Sequence, residues 1–270
     1  MSSEFPFFIY YIGLAIATFI LFRFILKKYI QFAMSYNLKK SLSKRAAHNG
    51  QVLTGGGVVY AVVIMVAAVI LDNLDFIEFS NFSPIVATAI LLSILGFYND
   101  LIEISIFSKF IIVVFLILIL LYSNATLPII QNLSGFLGIN NIGFIIGLIF
   151  TSFIYLSIMN AINLFNGIDG YLAIFSISFF SSMLFTNHLN KFYTLTSVAI
   201  IIIVSSSMFM RYNFHKGKKL FVGDAGSLFI GFWIATYLIT YITTASTSNL
   251  ADVFSIKLEN IPVIAISMIS

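Results

Sequence analysis

The stretch FPFFIYYIGLAIATFILFRFIL, Phe5–Leu26, followed at once by Lys27 and Lys28, decides the class of fold. It is long enough to cross the hydrocarbon core of a bilayer. Glu4 precedes it and two lysines, not a small-residue cleavage site, follow it, so it reads as a retained first span and not a signal peptide. Further apolar runs can be drawn at about 52–71, 82–98, 106–122, 139–160, 171–186, 192–210 and 225–244, with a ninth beginning near 258. The whole chain agrees with this reading. Of its 270 residues 60% are hydrophobic and 9% charged, and its mean hydropathy is +1.05, more apolar surface than a water-soluble domain can hide. The expected fold is an all-α polytopic membrane protein with eight to nine transmembrane helices in a single domain, residues 1–270. IPVIAISMIS at the end is too short to cross a bilayer and would leave backbone polar groups in hydrocarbon, so a C-terminal truncation is expected.

Charge sets the orientation. Lys27, Lys28, Lys39, Lys40, Lys44 and Arg45 follow the first span, which places that loop in the cytoplasm and the N-terminus outside. By parity the segments near 99–105, 161–170 and 211–224 are also interior. Arg211, Lys216, Lys218 and Lys219 fall on that side, whereas the exterior segment 72–81 carries Asp72, Asp75 and Glu78 with no basic residue. The formal charge of +4 therefore belongs to loops facing an anionic leaflet, and no nucleic-acid partner is expected. The absence of cysteine excludes disulfides, a thiolate nucleophile and a Cys-ligated zinc site.

Four polar islands interrupt the apolar pattern on the interior face. RAAHNGQVLTGGG, 45–57, ends in three glycines whose bare N–H groups beside a helix start would suit an anion, although a Gly run also permits a close helix crossing. GFYNDLIEISIFSKF, 96–110, carries Asn99, Asp100, Glu103 and Lys109. NAINLFNGIDG, 160–170, places Asn160, Asn163, Gly167 and Gly170 at helical spacing, with Asn166 and Asp169 toward the flanks; the plain alternative is a helix contact through small and amide residues. RYNFHKGKKLFVGDAGSLF, 211–229, brings Asp224 and Ser227 to the start of an apolar run, either as an ordinary helix cap or as a carboxylate that reaches a metal. Three aspartates, Asp100, Asp169 and Asp224, thus share one membrane face with asparagines and basic residues. Oxygen ligands without cysteine point to Mg²⁺ or Mn²⁺, and a hard cation beside basic groups suits transfer or hydrolysis at a pyrophosphate.

The strings together resemble a family. GFYNDL is similar to GFxDD, NAINLFNGIDGYLA to NAxNLxDGxDGLA, KKLFVGDAGSLFIGF to AKIFMGDxGSLFLGF, and His48–Gly57 to H-x5-T-x-G-G. These are the motifs, in order over about residues 45–235, of the polyprenyl-phosphate N-acetylhexosamine-1-phosphate transferases of glycosyltransferase family 4, with the undecaprenyl-phosphate GlcNAc-1-phosphate branch the nearer one. The resemblance implies transfer of a HexNAc-1-phosphate, GlcNAc most commonly, from a UDP-sugar to undecaprenyl phosphate with release of UMP. It implies a multi-pass protein of the bacterial inner membrane with its site facing the cytoplasm, acting at the first lipid-linked step of cell-surface glycan synthesis, and it is compatible with a homodimer. On this resemblance Asp224 is the metal ligand, and Phe221 stacks on the uracil with Asn213 beside it. Asn160, Asn163, Asn166, Asp169, His48 and Thr54 belong to the substrate site, Lys109 lies near the phosphates, and Asn99 and Asp100 occupy the acidic pair.

Two positions depart from the family pattern. Asn99 stands where activation of the lipid phosphate is usually assigned to a carboxylate, and an amide cannot be a general base, so that role passes to Asp100. Asn166 likewise replaces a carboxylate. Two rival readings remain. One is a secondary transporter, whose helix breaks would lie near the midplane in matching halves. The other is an inactive homologue that binds UDP or a lipid phosphate.

Overall fold

The computed structural model describes residues 5–41, 51–73, 79–123, 129–131, 141–165, 170–189, 192–214 and 220–245. Among these described residues eight helices follow one another: α1 (Phe5–Ser35), α2 (Val58–Asn73), α3 (Phe79–Leu101), α4 (Ile106–Ser123), α5 (Gly143–Phe165), α6 (Tyr171–Leu189), α7 (Tyr193–Asn213) and α8 (Gly223–Ala245). Six of them contain apolar stretches long enough to cross a membrane, and two further apolar helices, Val58–Asn73 and Tyr171–Leu184, are shorter. The chain is an all-α polytopic membrane protein, as its apolar runs predict. Most predicted spans coincide with helices to within a few residues; the ninth lies outside the described residues.

Residues that are apolar on every face make helices here because a helix satisfies its own backbone where no water can. The layers are set by which helix is covered. Ala225 to Ile239 of α8 are buried without a break, so α8 is the central post. It packs mainly on α3 and α5, while α6 pairs with α7, and α7 also lies against α1. Phe229, Phe232 and Trp233 fill the centre with no exposed surface. By contrast α4 turns Ile106, Phe107, Phe110 and Phe115 outward, as a lipid-facing helix does.

Three expectations are corrected. The second span does not begin near 52. Instead β2 (Gln51–Leu53) pairs antiparallel with β1 (Lys39–Ser41), and α2 starts only at Val58. The cause is tertiary: Phe221 N–H donates to Leu53 O (2.8 Å), Gly56 N–H to Phe221 O (3.1 Å) and Gly57 N–H to Val222 O (2.8 Å), so the strand-like lead-in is zipped to the segment before α8. Those bonds also correct the anion nest, because the N–H groups of Gly56 and Gly57 are engaged by carbonyls. Of the three glycines Gly57 serves a close crossing, since a Cβ on it would lie 2.0 Å from Gly226 N. Gly57→Ala should push α2 and α8 apart and lower stability by about 1–3 kcal/mol. A melt followed by the fluorescence of Trp233, the single tryptophan, measures this, and an unchanged midpoint would remove the crossing from the account.

The third correction concerns 160–170. A helical stripe continuous from Asn160 to Gly170 does not form, since Gly170 has φ +70°, a left-handed conformation that a right-handed helix cannot hold; Gly167 lies outside the described residues. Gly170 is the turn into α6.

Candidate functional site at one end of the bundle

Helix ends that alternate along the chain meet at a single end of the bundle. Tyr29 at the end of α1 donates to Thr54 O (2.5 Å) ahead of α2. Gly96 near the end of α3 abuts the start of α8, where a Cβ would lie 2.4 Å from Asp224 O. Gly170 N–H before α6 donates to Asn213 Oδ1 (2.5 Å) at the end of α7. The described parts of the polar islands are therefore neighbours because the helices run up and down.

Asp224, in the first turn of α8, is its centre. Asn99 Nδ2 donates to Asp224 Oδ2 (2.6 Å), and Lys109 Nζ makes an ion pair with the same oxygen. Asn163 sits with its amide nitrogen toward Asp224 Oδ1 (3.0 Å) and Ser227 Oγ (2.7 Å) and its oxygen toward Lys109 Nζ (3.1 Å), the orientation in which every atom meets a complementary partner. Ser227 Oγ then donates to Asp224 O (3.3 Å). Four helices, α3, α4, α5 and α8, thus each place a polar side chain on this carboxylate or supply it. Asn99 has a second task, its Oδ1 accepting from Ile104 N–H (3.0 Å), which fixes the turn between α3 and α4.

Asp100 is adjacent but differently employed. It is 7% exposed, and its two oxygens accept from the N–H groups of Asp224 (3.1 Å) and Ala225 (3.4 Å). These are first-turn donors with no partner inside the helix, at the positive end of its dipole, so Asp100 caps α8 from another helix. Gly223, with φ +70°, leaves room for it: a Cβ there would lie 2.0 Å from Asp100 Oδ2. In this geometry the Asp100 carboxylate faces backbone amides, which positions the start of α8.

The remaining expected residues divide. Asn213 is 4% exposed and bridges backbones, accepting from Gly170 N–H (2.5 Å) and donating to Leu220 O (3.2 Å), so it ties the α6 start to the α8 lead-in. Thr54 is buried beside Tyr29, and Phe221 is half-buried in the zipped segment. Asn160 lies exposed one turn back on α5 and is not brought to Asp224. His48, Asn166 and Asp169 lie outside the described residues. Gly96 has no role in the sequence reading; its signal is the small residue opening GFYND, which only the closeness of α8 explains.

Whether these groups suit a divalent cation follows from their chemistry. Among the described residues no three His, Cys, Asp or Glu side chains converge. Asp224 offers one carboxylate, and Asn99 and Asn163 offer amide oxygens if their amides turn. That set fits Mg²⁺ or Mn²⁺, which take one or two carboxylates and complete their shell with water and phosphate oxygens.

No curated protein matches the chain. Residues 82–242, more than half the chain and the part holding Asn99, Lys109, Asn163 and Asp224, match glycosyl transferase family 4. The chain therefore belongs to glycosyl transferase family 4, the polyprenyl-phosphate sugar-phosphate transferases.

Proposed function

We propose that this transferase moves a HexNAc-1-phosphate, with GlcNAc as the HexNAc, from a UDP-sugar to undecaprenyl phosphate at the cytoplasmic face of a bacterial inner membrane, releasing UMP. The observation that carries the proposal is the convergence of Asn99, Lys109 and Asn163 on Asp224 at one end of the bundle. A transporter would gather such groups near the midplane instead. The basic residues 27–45 and 211–219 lie in segments joined to that end, which by charge is the interior one.

In this reading an oxygen of the lipid phosphate attacks the phosphorus that carries the sugar. A new P–O bond forms, the bond to the uridine-bearing phosphate breaks, and UMP departs with the bridging oxygen. A bound Mg²⁺ or Mn²⁺ supplies neutralisation of charge on the phosphate oxygens. Asp224, Asn99 and Asn163 would hold it. Lys109 adds a positive charge for the pyrophosphate, and Phe221 supplies a ring face for the base. Asn160, Asn166, Asp169, His48 and Thr54 are proposed for the remainder of the substrate site, with Asn213 bracing it. Activation of the acceptor needs no carboxylate at position 99, because a phosphate monoester is largely ionised near neutral pH. What it needs is orientation, and Asp100 contributes by fixing the start of α8.

Full-length protein incubated with UDP-[³H]GlcNAc, undecaprenyl phosphate and Mg²⁺ should yield labelled lipid and unlabelled UMP in equal amounts. No labelled lipid from any UDP-HexNAc would overturn the proposal. Binding of UDP by calorimetry without turnover would favour the inactive-homologue reading.

A further inference from the structure

The carboxylate at the centre of the site already has a cation on it. Lys109 Nζ pairs with Asp224 Oδ2, Asn99 Nδ2 donates to the same oxygen at 2.6 Å, and Asn163 supports both partners, its nitrogen 3.0 Å from Asp224 Oδ1 and its oxygen 3.1 Å from Lys109 Nζ. Its neighbour in the site, Asp100, faces the α8 amides. Within this group Asp224 is set against Lys109, and Asp100 against the helix N-terminus. The pair is shielded but not sealed, the Lys109 and Asp224 side chains being 16% and 19% exposed.

A divalent cation cannot share Asp224 Oδ2 with an ammonium, because two positive charges would stand within a few ångströms of each other. Lysine is suited to leave, being a compact charge on a flexible stem. The amides are suited to the exchange as well. An asparagine offers N–H groups to a carboxylate in one orientation and an oxygen to a metal in the other. A carboxylate at position 99 could do only the second and would repel Asp224 until a metal arrived.

We infer that Lys109 is a stand-in cation on Asp224, displaced only when a phosphate-bearing ligand draws its ammonium away, so that divalent metal and nucleotide bind cooperatively while Asn99 and Asn163 turn their amide oxygens inward. The inference rests on the assignment of Asp224 to the metal in the transferase reading, and adds that metal binding is conditional on the phosphate ligand. It gives Asn99 a positive role as an amide that serves both states.

The test uses full-length protein in nanodiscs, with bound Mn²⁺ measured from the loss of the free-ion electron paramagnetic resonance signal, at matched free Mn²⁺, with and without UDP. Wild type should bind Mn²⁺ at least about tenfold more tightly with UDP than without, within the range usual for coupled sites. Lys109→Gln should bind Mn²⁺ alone at least about tenfold more tightly than wild type, and UDP should then add less than about threefold. Lys109→Arg keeps the positive charge and should bind Mn²⁺ alone as weakly as wild type, which separates the charge from any effect on folding. Tighter binding by both variants, or by neither, overturns the inference. Should Lys109→Gln fail to fold, the wild-type arm still decides, since Mn²⁺ binding as tight without UDP as with it overturns the exchange. That result with lipid product still formed leaves the transferase reading standing; absence of both UDP-dependent Mn²⁺ binding and lipid product overturns both.

Discussion

Asp224→Asn is expected to lower the initial rate of labelled lipid formation by at least about 10²–10³-fold, the loss typical when one preorganised group facing developing charge is removed, while the protein inserts in the membrane at wild-type levels. The substitution preserves shape but deletes the charge on which Lys109, Asn99 and Asn163 converge. An amide cannot hold a divalent cation as a carboxylate does, and it leaves the largely buried Lys109 ammonium without its counter-ion. The second effect costs about 1–3 kcal/mol of stability, visible as a lower melting midpoint by Trp233 fluorescence, and too small to account for the rate loss in folded protein. Insertion should persist because the apolar runs that drive it are untouched. Turnover at the wild-type rate would remove Asp224 from the centre of the site.

Gly223→Ala carries the largest expected stability effect. With φ at +70° the backbone is left-handed, where a side chain costs about 1–2 kcal/mol. The added Cβ would also lie 2.0 Å from Asp100 Oδ2. Either the carboxylate withdraws, leaving the Asp224 and Ala225 N–H groups uncapped at a further cost of about 1–3 kcal/mol, or the start of α8 shifts and carries Asp224 out of reach of Asn99. Both routes damage stability and activity together. Gly13→Ala in α1 is the control, since a Cβ there meets nothing within 4 Å and should change stability by less than about 0.5 kcal/mol. A midpoint for Gly223→Ala equal to that of Gly13→Ala would show that Asp100 does not cap α8.

The sequence by itself determined most of the helices and named four residues, Asn99, Lys109, Asn163 and Asp224, that meet at one end of the bundle. Uninterrupted apolar runs in a bilayer have one economical solution, the helix, so α1, α4 and α7 could be drawn from composition alone. Parity along an up-and-down bundle then gathered Asn99, Lys109, Asn163 and Asp224 at one end before any distance was known. What periodicity could not reach was whatever depends on a partner distant in the chain. Leu53 to Gly57 is extended because its backbone bonds to 220–222, and nothing local in TGGG chooses that over a helix start. Asp100 and Asn99 are neighbours of similar shape, yet one caps a helix and the other binds a side chain, because α8 presents amides to the first and a carboxylate to the second. Residue type limits what a group can donate or accept; only the tertiary structure decides which donor it meets.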